Sequence, residues 1–142
     1  MKYRPARTSD LAVINELLQR YDLPTDDTHF HLAHFVVVED KSTIIAVGGY
    51  EDQGNIALFR SFVLAERYRG LGIAEALFDR VKNQAIEEGK KHLFLLTTTA
   101  SEYFARLGFQ IIDRSEVPDE VKYTAQFSSI CPTSAVVMVL SL

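Results

Sequence analysis

Along the chain, apolar residues alternate between two repeats, and each switch marks an element. Leu11, Ile14, Leu17 and Leu18 recur at helical spacing. Thr8, Ser9 and Asp10 precede them and have the short polar side chains that cap helix N-termini. Before this helix, residues 2–7 read as a first strand, with Pro5 suited to a sheet edge because it has no N–H to donate. The helix ends in "YDLPTDD", and the spacing that follows allows a helical turn over residues 28–32. "HFVVVED" and "TIIAVGGYE" then read as a hairpin around Asp40, Lys41 and Ser42, and "IALFRSFVL" as a third strand after the turn "EDQGN". Ile73, Leu77, Val81 and Ala85 repeat every fourth residue, a long amphipathic helix that Gly89 stops.

The wholly apolar "HLFLLTTT" has the pattern of a strand buried on both faces. "ASEYFARLGF" is a short helix ending at Gly108, "FQIID" a strand, and "SAVVMVLSL" a closing strand, with a polar, irregular stretch over residues 114–129. A meander of strands followed by a strand–helix–strand crossover predicts an α/β (α+β) fold: one mixed, mostly antiparallel sheet with helices on both faces. The 142 residues suffice for one domain, and no repeat or linker divides them.

Composition narrows the functional classes. The chain is 47% hydrophobic and 24% charged, as soluble globular proteins are. No apolar run is long enough to span a bilayer, and the N-terminus lacks the apolar core of a secretion signal. One cysteine, Cys131, excludes an internal disulfide framework and fits a reducing, cytoplasmic setting. A formal charge of −4 argues against nucleic-acid backbones as partners.

Candidate chemistry gathers in "FRSFVLAERYRGLGIAEAL", where a strand runs through arginines and glycines into the long helix. The first turn of a helix presents unpaired amides and the positive end of its dipole, which together attract phosphate. Gly70 and Gly72 open the approach to those amides, and Arg67 and Arg69 add fixed positive charge. Neither the dinucleotide-binding nor the Walker fingerprint is present.

These residues resemble the coenzyme A loop of the GCN5-related N-acetyltransferase (GNAT) family, Q/R-x-x-G-x-G/A, with Arg67, Gly70 and Gly72 at its three defined positions. "TTTASEYFARLGF" resembles a second family segment through Ala100, Gly108 and Phe109. The tail residues Thr124, Phe127, Cys131, Pro132, Ser134 and Ala135, with the TTTA segment, are similar to an arsenic-resistance-associated subgroup. The resemblance implies a single acetyltransferase domain over residues 1–142, with two central strands splayed around the pantetheine arm of acetyl-CoA. It places the main chains of Phe62 and Leu64 against pantetheine, with the Leu64 amide on the thioester carbonyl. The amides of Arg69, Gly70, Gly72, Ile73 and Ala74 fall on the pyrophosphate, and Thr97 stands in for the family's asparagine. Thr98, Thr124, Phe127 and Cys131 fall near an amino-acid-like amine acceptor, and pairing through edge strands would allow a homodimer.

The residues depart from the family at the proton donor. Its usual tyrosine is Phe104 here, and the adjacent Tyr103 points about 100° away around the helix, so Tyr103 reads either as an acid or as a core tyrosine. Glu39, Glu51 and Asp52 read either as a general base for the amine or as solvated carboxylates at strand ends, and His92 as a packing residue. His29, His31 and His34 read as surface or half-buried histidines without a metal-site context, so no metal is expected. An N-acetyltransferase for a small amine is the leading expectation; a catalytically silent acyl-CoA sensor or interaction module is the alternative.

Overall fold

The computed structural model describes residues 1–130 and 134–142, with Ser129 and Ile130 described by backbone alone. Seven strands form one sheet: β1 (Lys2–Pro5), β2 (Phe35–Asp40), β3 (Thr43–Gln53), β4 (Ile56–Leu64), β5 (His92–Thr97), β6 (Gln110–Ile112) and β7 (Val136–Ser141), in the order β1-β2-β3-β4-β5-β7-β6. Among the described residues only β4 and β5 run parallel; every other neighbouring pair is antiparallel. The helices are α1 (Leu11–Arg20), α2 (Thr28–His31), α3 (Ile73–Glu87), α4 (Ser101–Arg106) and α5 (Asp119–Lys122). The mixed sheet expected from the sequence is therefore present, and Pro5 sits on its edge strand.

Alternation along β2 explains why helices cover both faces. Val36 and Val38 join Leu77, Val81 and Ala85 of α3 on one side. Phe35 and Val37 join Ile14, Leu17 and Leu18 of α1 on the other. On that second side, further along the sheet, Ile56, Leu58, Phe94 and Val137 pack beneath Val117 and Val121. The stretch after β6 is thus not irregular: it folds into short helical turns because Val117 and Val121, four residues apart, cover this patch.

The charged residues at strand ends differ most from expectation. Asp10 reaches back to the strand, accepting from the Arg7 amide at 2.7 Å and pairing with Arg4. Glu39, expected to be solvated, accepts from Arg4 at 3.1 Å. β3 runs on to Gln53, which places Glu51 inside the sheet at 2% exposure. His92 is exposed at the start of β5 rather than packed.

Candidate active site

β4 and β5 are in parallel register only over Ile56↔His92, Ala57↔Leu93 and Leu58↔Phe94, and then separate. Near the fork β4 carries one extra residue against β3, with the register shifting between Val47 and Gly49. Ser61 takes φ 56°, a left-handed conformation uncommon for a side-chain-bearing residue. The bulge reverses which residues face which side. Before it Phe59 lies with the α3 core; after it Phe62 and Leu64 do, while Val63 turns to α1. Gly48 lies opposite the bulge, and a Cβ there would come within 2.9 Å of the Phe62 ring.

Hydrogen-bond parity then fixes where the free edge of β4 points. The Ala65 amide donates to the Ile45 carbonyl at 2.8 Å, and Val63 pairs with Val47. Main-chain groups alternate along an antiparallel strand, so those of Phe62 and Leu64 face away from β3, toward the gap left by β5. That gap is a cleft of about 900 Å³, lined by both parted strands, by residues 21–24 after α1, and by the turn that opens α3.

At the mouth of the cleft, Gly70 and Gly72 both adopt φ 80°, a conformation that disfavours any other L-residue. A Cβ on either would meet no protein atom within 4 Å, so the chain leaves the space before them open. Among the described residues, the amides of Gly70, Leu71, Gly72, Ile73, Ala74 and Glu75 have no protein acceptor. Arg69 is a correction: its amide donates to the Glu66 carbonyl at 3.1 Å and is not available to a ligand, although its side chain borders the cleft. Arg67 stands outside the lining, with its guanidinium 5.2 Å from the Tyr68 ring centroid. Tyr21 ties the α1 loop to this turn. Its hydroxyl accepts from the Glu66 amide at 2.8 Å, and Arg69 lies 5.6 Å over its ring.

α4 supplies the opposite wall. Tyr103 and Phe104 both line the cleft despite adjacent positions on the helix. Phe104 packs edge-on to Phe59 and Phe109. The Tyr103 hydroxyl is buried without a hydrogen-bond partner. Burial, then the charge of Glu75, raise its pKa against the opposing pull of Arg106, so it stays protonated. Thr97 and Thr98 border the cleft, and the Thr97 hydroxyl accepts from the Ala100 amide at 3.0 Å, holding the start of α4.

The tail corrects two acceptor-site expectations. Thr124 is buried outside the cleft; its hydroxyl donates to the Val121 carbonyl at 2.7 Å and accepts from the Phe127 amide at 3.2 Å, which stitches a turn together. Phe127 packs beside the Val117 and Val121 patch, with Arg114 4.8 Å over its ring. Cys131 lies outside the described residues.

An ionic cluster at the fork was missed from sequence. Arg60 lines the cleft, yet its side chain is fully buried. It grips Asp27 through two bonds of 2.8 and 2.6 Å and Glu51 through one of 2.8 Å. His31 Nε2 lies 3.5 Å from Asp27 and 3.4 Å from Glu51. Burial works to raise the Asp27 pKa, but the bonds and charge of Arg60, with His31, bring it below the usual carboxylate value. Burial is also the largest cause of a lowered His31 pKa, outweighing the two carboxylates. The signal was an arginine within a mostly apolar strand, "IALFRSFVL".

A family model described as an acetyltransferase (GNAT) domain matches residues 31–111. The chain is 26% identical over 128 residues to the uncharacterized N-acetyltransferase CT2212 of Chlorobaculum tepidum, covering 83% of this chain and 81% of that protein. It is 30% identical over 112 residues to the citrate (pro-3S)-lyase ligase of Escherichia coli, across 78% of this chain but 30% of that protein. Rv2747 from Mycobacterium tuberculosis, solved in complex with CoA, shares the fold at a TM-score of 0.83 and 23% identity, over 100% of this chain and 99% of that one. N-acetylglutamate synthase from Neisseria gonorrhoeae, complexed with coenzyme A and N-acetyl-glutamate, shares it at 0.84 and 19% identity, over 99% of this chain and 35% of that one. The chain belongs to the GNAT acetyltransferase domain family and is an acetyl-CoA-dependent acyltransferase.

Proposed function

We propose that residues 1–142 act as one N-acetyltransferase domain that moves an acetyl group from acetyl-CoA to the amine of a small, amino-acid-like acceptor. The observation that carries this reading is the row of unpartnered amides from Gly70 to Glu75 at the mouth of a cleft that also receives the free edge of β4. Those amides and the α3 dipole suit a pyrophosphate. The main chains of Phe62 and Leu64 suit a pantetheine arm lying along β4 like an added strand. The Leu64 N–H is then the donor to the thioester carbonyl oxygen as it gains charge. The neutral acceptor amine forms the new C–N bond, the C–S bond breaks, coenzyme A leaves as a thiolate, and the nitrogen gives up a proton to solvent.

In this reading Tyr103 hydrogen-bonds that thiolate. The residue lines the cleft, and its hydroxyl is buried, protonated and without a hydrogen-bond partner. An unperturbed thiol has a pKa of about 8.5, so a donor to the departing sulfur accelerates the step without being indispensable. Thr98 and Thr99 offer exposed hydroxyls on the same wall for a polar acceptor. The shared fold with a synthase crystallised with N-acetyl-glutamate supports an amino-acid-like acceptor. The likeness of the TTTA segment to arsenic-resistance-associated acetyltransferases supports the same class.

Thiol release from acetyl-CoA against a panel of free amino acids, other small amines and short peptides tests the proposal. Release with one or a few amino acids, and none with peptides, is expected. Phe104, standing where the family has a tyrosine, favours a second reading as a silent acyl-CoA sensor. Acetyl-CoA binding without release across the whole panel would establish that reading instead.

A further inference from the structure

The end of α1 is built to hold Tyr21 in one place. The Asp22 amide donates to the Gln19 carbonyl at 3.1 Å, and the Leu23 amide to the Leu18 carbonyl at 3.0 Å. Asp22, between Tyr21 and Leu23, takes φ 60°. This crossed pair of bonds around a left-handed residue is a Schellman closure, and aspartate is among the few side chains that tolerate the conformation. Tyr21 and Leu23 both pack on the cluster that contains Leu17, Leu18 and Val63. The chain leaving α1 is therefore fixed by its backbone and by its side chains before it borders the cleft.

From this anchored position the Tyr21 hydroxyl crosses to the segment that carries the anion-site amides. It accepts from the Glu66 amide at 2.8 Å. Glu66 opens a tight turn, Glu66–Tyr68, in which the Tyr68 amide bonds the Ala65 carbonyl at 3.0 Å and the Arg69 amide bonds the Glu66 carbonyl at 3.1 Å. Among the described residues, the unpartnered amides begin at the next position, Gly70. At the far end of the turn the Tyr68 hydroxyl donates to Asp40, the last residue of β2, at 2.7 Å. One tyrosine thus braces the turn to α1 and another braces it to the sheet.

The two braces differ in kind. The Tyr68 bond is to a carboxylate, which strengthens it. The Tyr21 bond is exposed to solvent, where water replaces a lost partner at little cost to folding. Its contribution is geometric instead. Gly70 and Gly72 follow within six residues, and glycine has the widest backbone freedom of any residue. Freedom that a ligand must remove on binding weakens its affinity, so a contact that removes it beforehand strengthens the affinity.

We propose that Tyr21 is a positioning residue for the coenzyme: its hydroxyl holds the Gly70–Glu75 amides in place over the cleft, and so ties residues 21–24 of the wall to the coenzyme turn. The inference rests on reading those amides as the pyrophosphate site.

Calorimetric titration with CoA, which needs no acceptor, tests it. Tyr21→Phe keeps the ring, its packing and the Arg69 guanidinium 5.6 Å from its centroid, and removes only the oxygen. The dissociation constant should rise about three- to tenfold. The melting temperature of the free protein should fall by less than about 2 °C. Gly72→Ala strains the turn beyond the bond and should weaken CoA binding by itself. In the double variant the combined loss should be smaller than the product of the two, because a turn already displaced gains nothing from the Tyr21 hydroxyl. Losses that multiply would mean that Tyr21 acts independently of the turn, and would overturn the proposal. So would a Tyr21→Phe affinity within about twofold of wild type, or a loss accompanied by a larger fall in melting temperature. If Gly72→Ala leaves CoA affinity unchanged, the pyrophosphate reading itself fails, and the role of Tyr21 fails with it.

Discussion

At one end of their length β4 and β5 hydrogen-bond in register and bury Ile56, Leu58 and Phe94 under Val117 and Val121. At the other end the same strands stand apart, and the main chains of Phe62 and Leu64 face a cleft. The closed end has apolar side chains on both faces of β4. The open end begins where Arg60, wholly buried, pairs with two carboxylates, and where Ser61 bulges. Parting two strands leaves backbone donors and acceptors without partners, and these must be satisfied by something else. A cleft built this way is selective for a ligand that resembles a strand, which is how an amide-bearing arm is recognised.

Arg60→Leu tests the comparison most severely. Leaving Asp27 and Glu51 buried without their cation should destabilise the fold by about 3–5 kcal/mol, read by denaturant unfolding. Leu58→Ala at the closed end costs a comparable amount, about 2–5 kcal/mol, through the cavity it leaves. The two differ in acid. The Asp27 pKa is lowered in the fold, so its stabilisation is complete above the unfolded value of about 3.9 and is lost as pH falls through the lower folded value. Leu58→Ala should keep that acid dependence and Arg60→Leu should lack it; equal profiles would remove Arg60 as the anchor of the fork.

Gly72→Glu comes next in size and confines its damage to the open end. It sets a negative side chain at the proposed pyrophosphate site and forces a left-handed conformation costing about 1–2 kcal/mol. Acetyl-CoA affinity should fall at least about 100-fold, or about 2.7 kcal/mol, by calorimetry. Unchanged affinity would mean that the anion site is elsewhere.

How much of this was legible in the sequence differs between the two ends for a physical reason. The helix that opens at the row of unpartnered amides announces itself through Ile73, Leu77, Val81 and Ala85, because helical periodicity is local. Gly70 and Gly72 are legible for the same reason, since their conformation depends on a few adjacent residues. The Arg60 cluster is not, because its partners lie 33 and 9 positions away along the chain. Glu51 looked solvated because the turn residues beside it suggested an early end to β3, whereas the strand runs two residues further. Thr124 was misplaced because a threonine reads alike as an acceptor-site hydroxyl and as a turn cap until its hydrogen bonds are known.

Tyr103→Phe sharpens the comparison within the open end. It removes the orphaned hydroxyl and keeps the ring that lies 6.3 Å from Phe62, so folding and acetyl-CoA affinity should hold. The turnover rate should fall at least about tenfold, or about 1.4 kcal/mol in the barrier. Burial and Glu75 hold the tyrosine pKa above its ordinary value of about 10, so the wild-type rate should decline only at still higher pH and the variant should lack that decline. A rate unaltered by the substitution would leave Tyr103 as a wall residue.

Thr97→Val is the smallest change and separates a role in the wall from a role in the ligand. The Thr97 hydroxyl accepts from the Ala100 amide at the start of α4, and valine keeps the branched shape while removing that acceptor. Loss of such a cap costs about 1 kcal/mol, and this should appear in the melting temperature. Because the hydroxyl already serves α4, acetyl-CoA affinity should stay within about twofold of wild type. A larger loss of affinity at unchanged stability would show that the hydroxyl bonds the ligand. The parted end of β5 would then hold the coenzyme through a side chain, in contrast to the main-chain contacts proposed for β4.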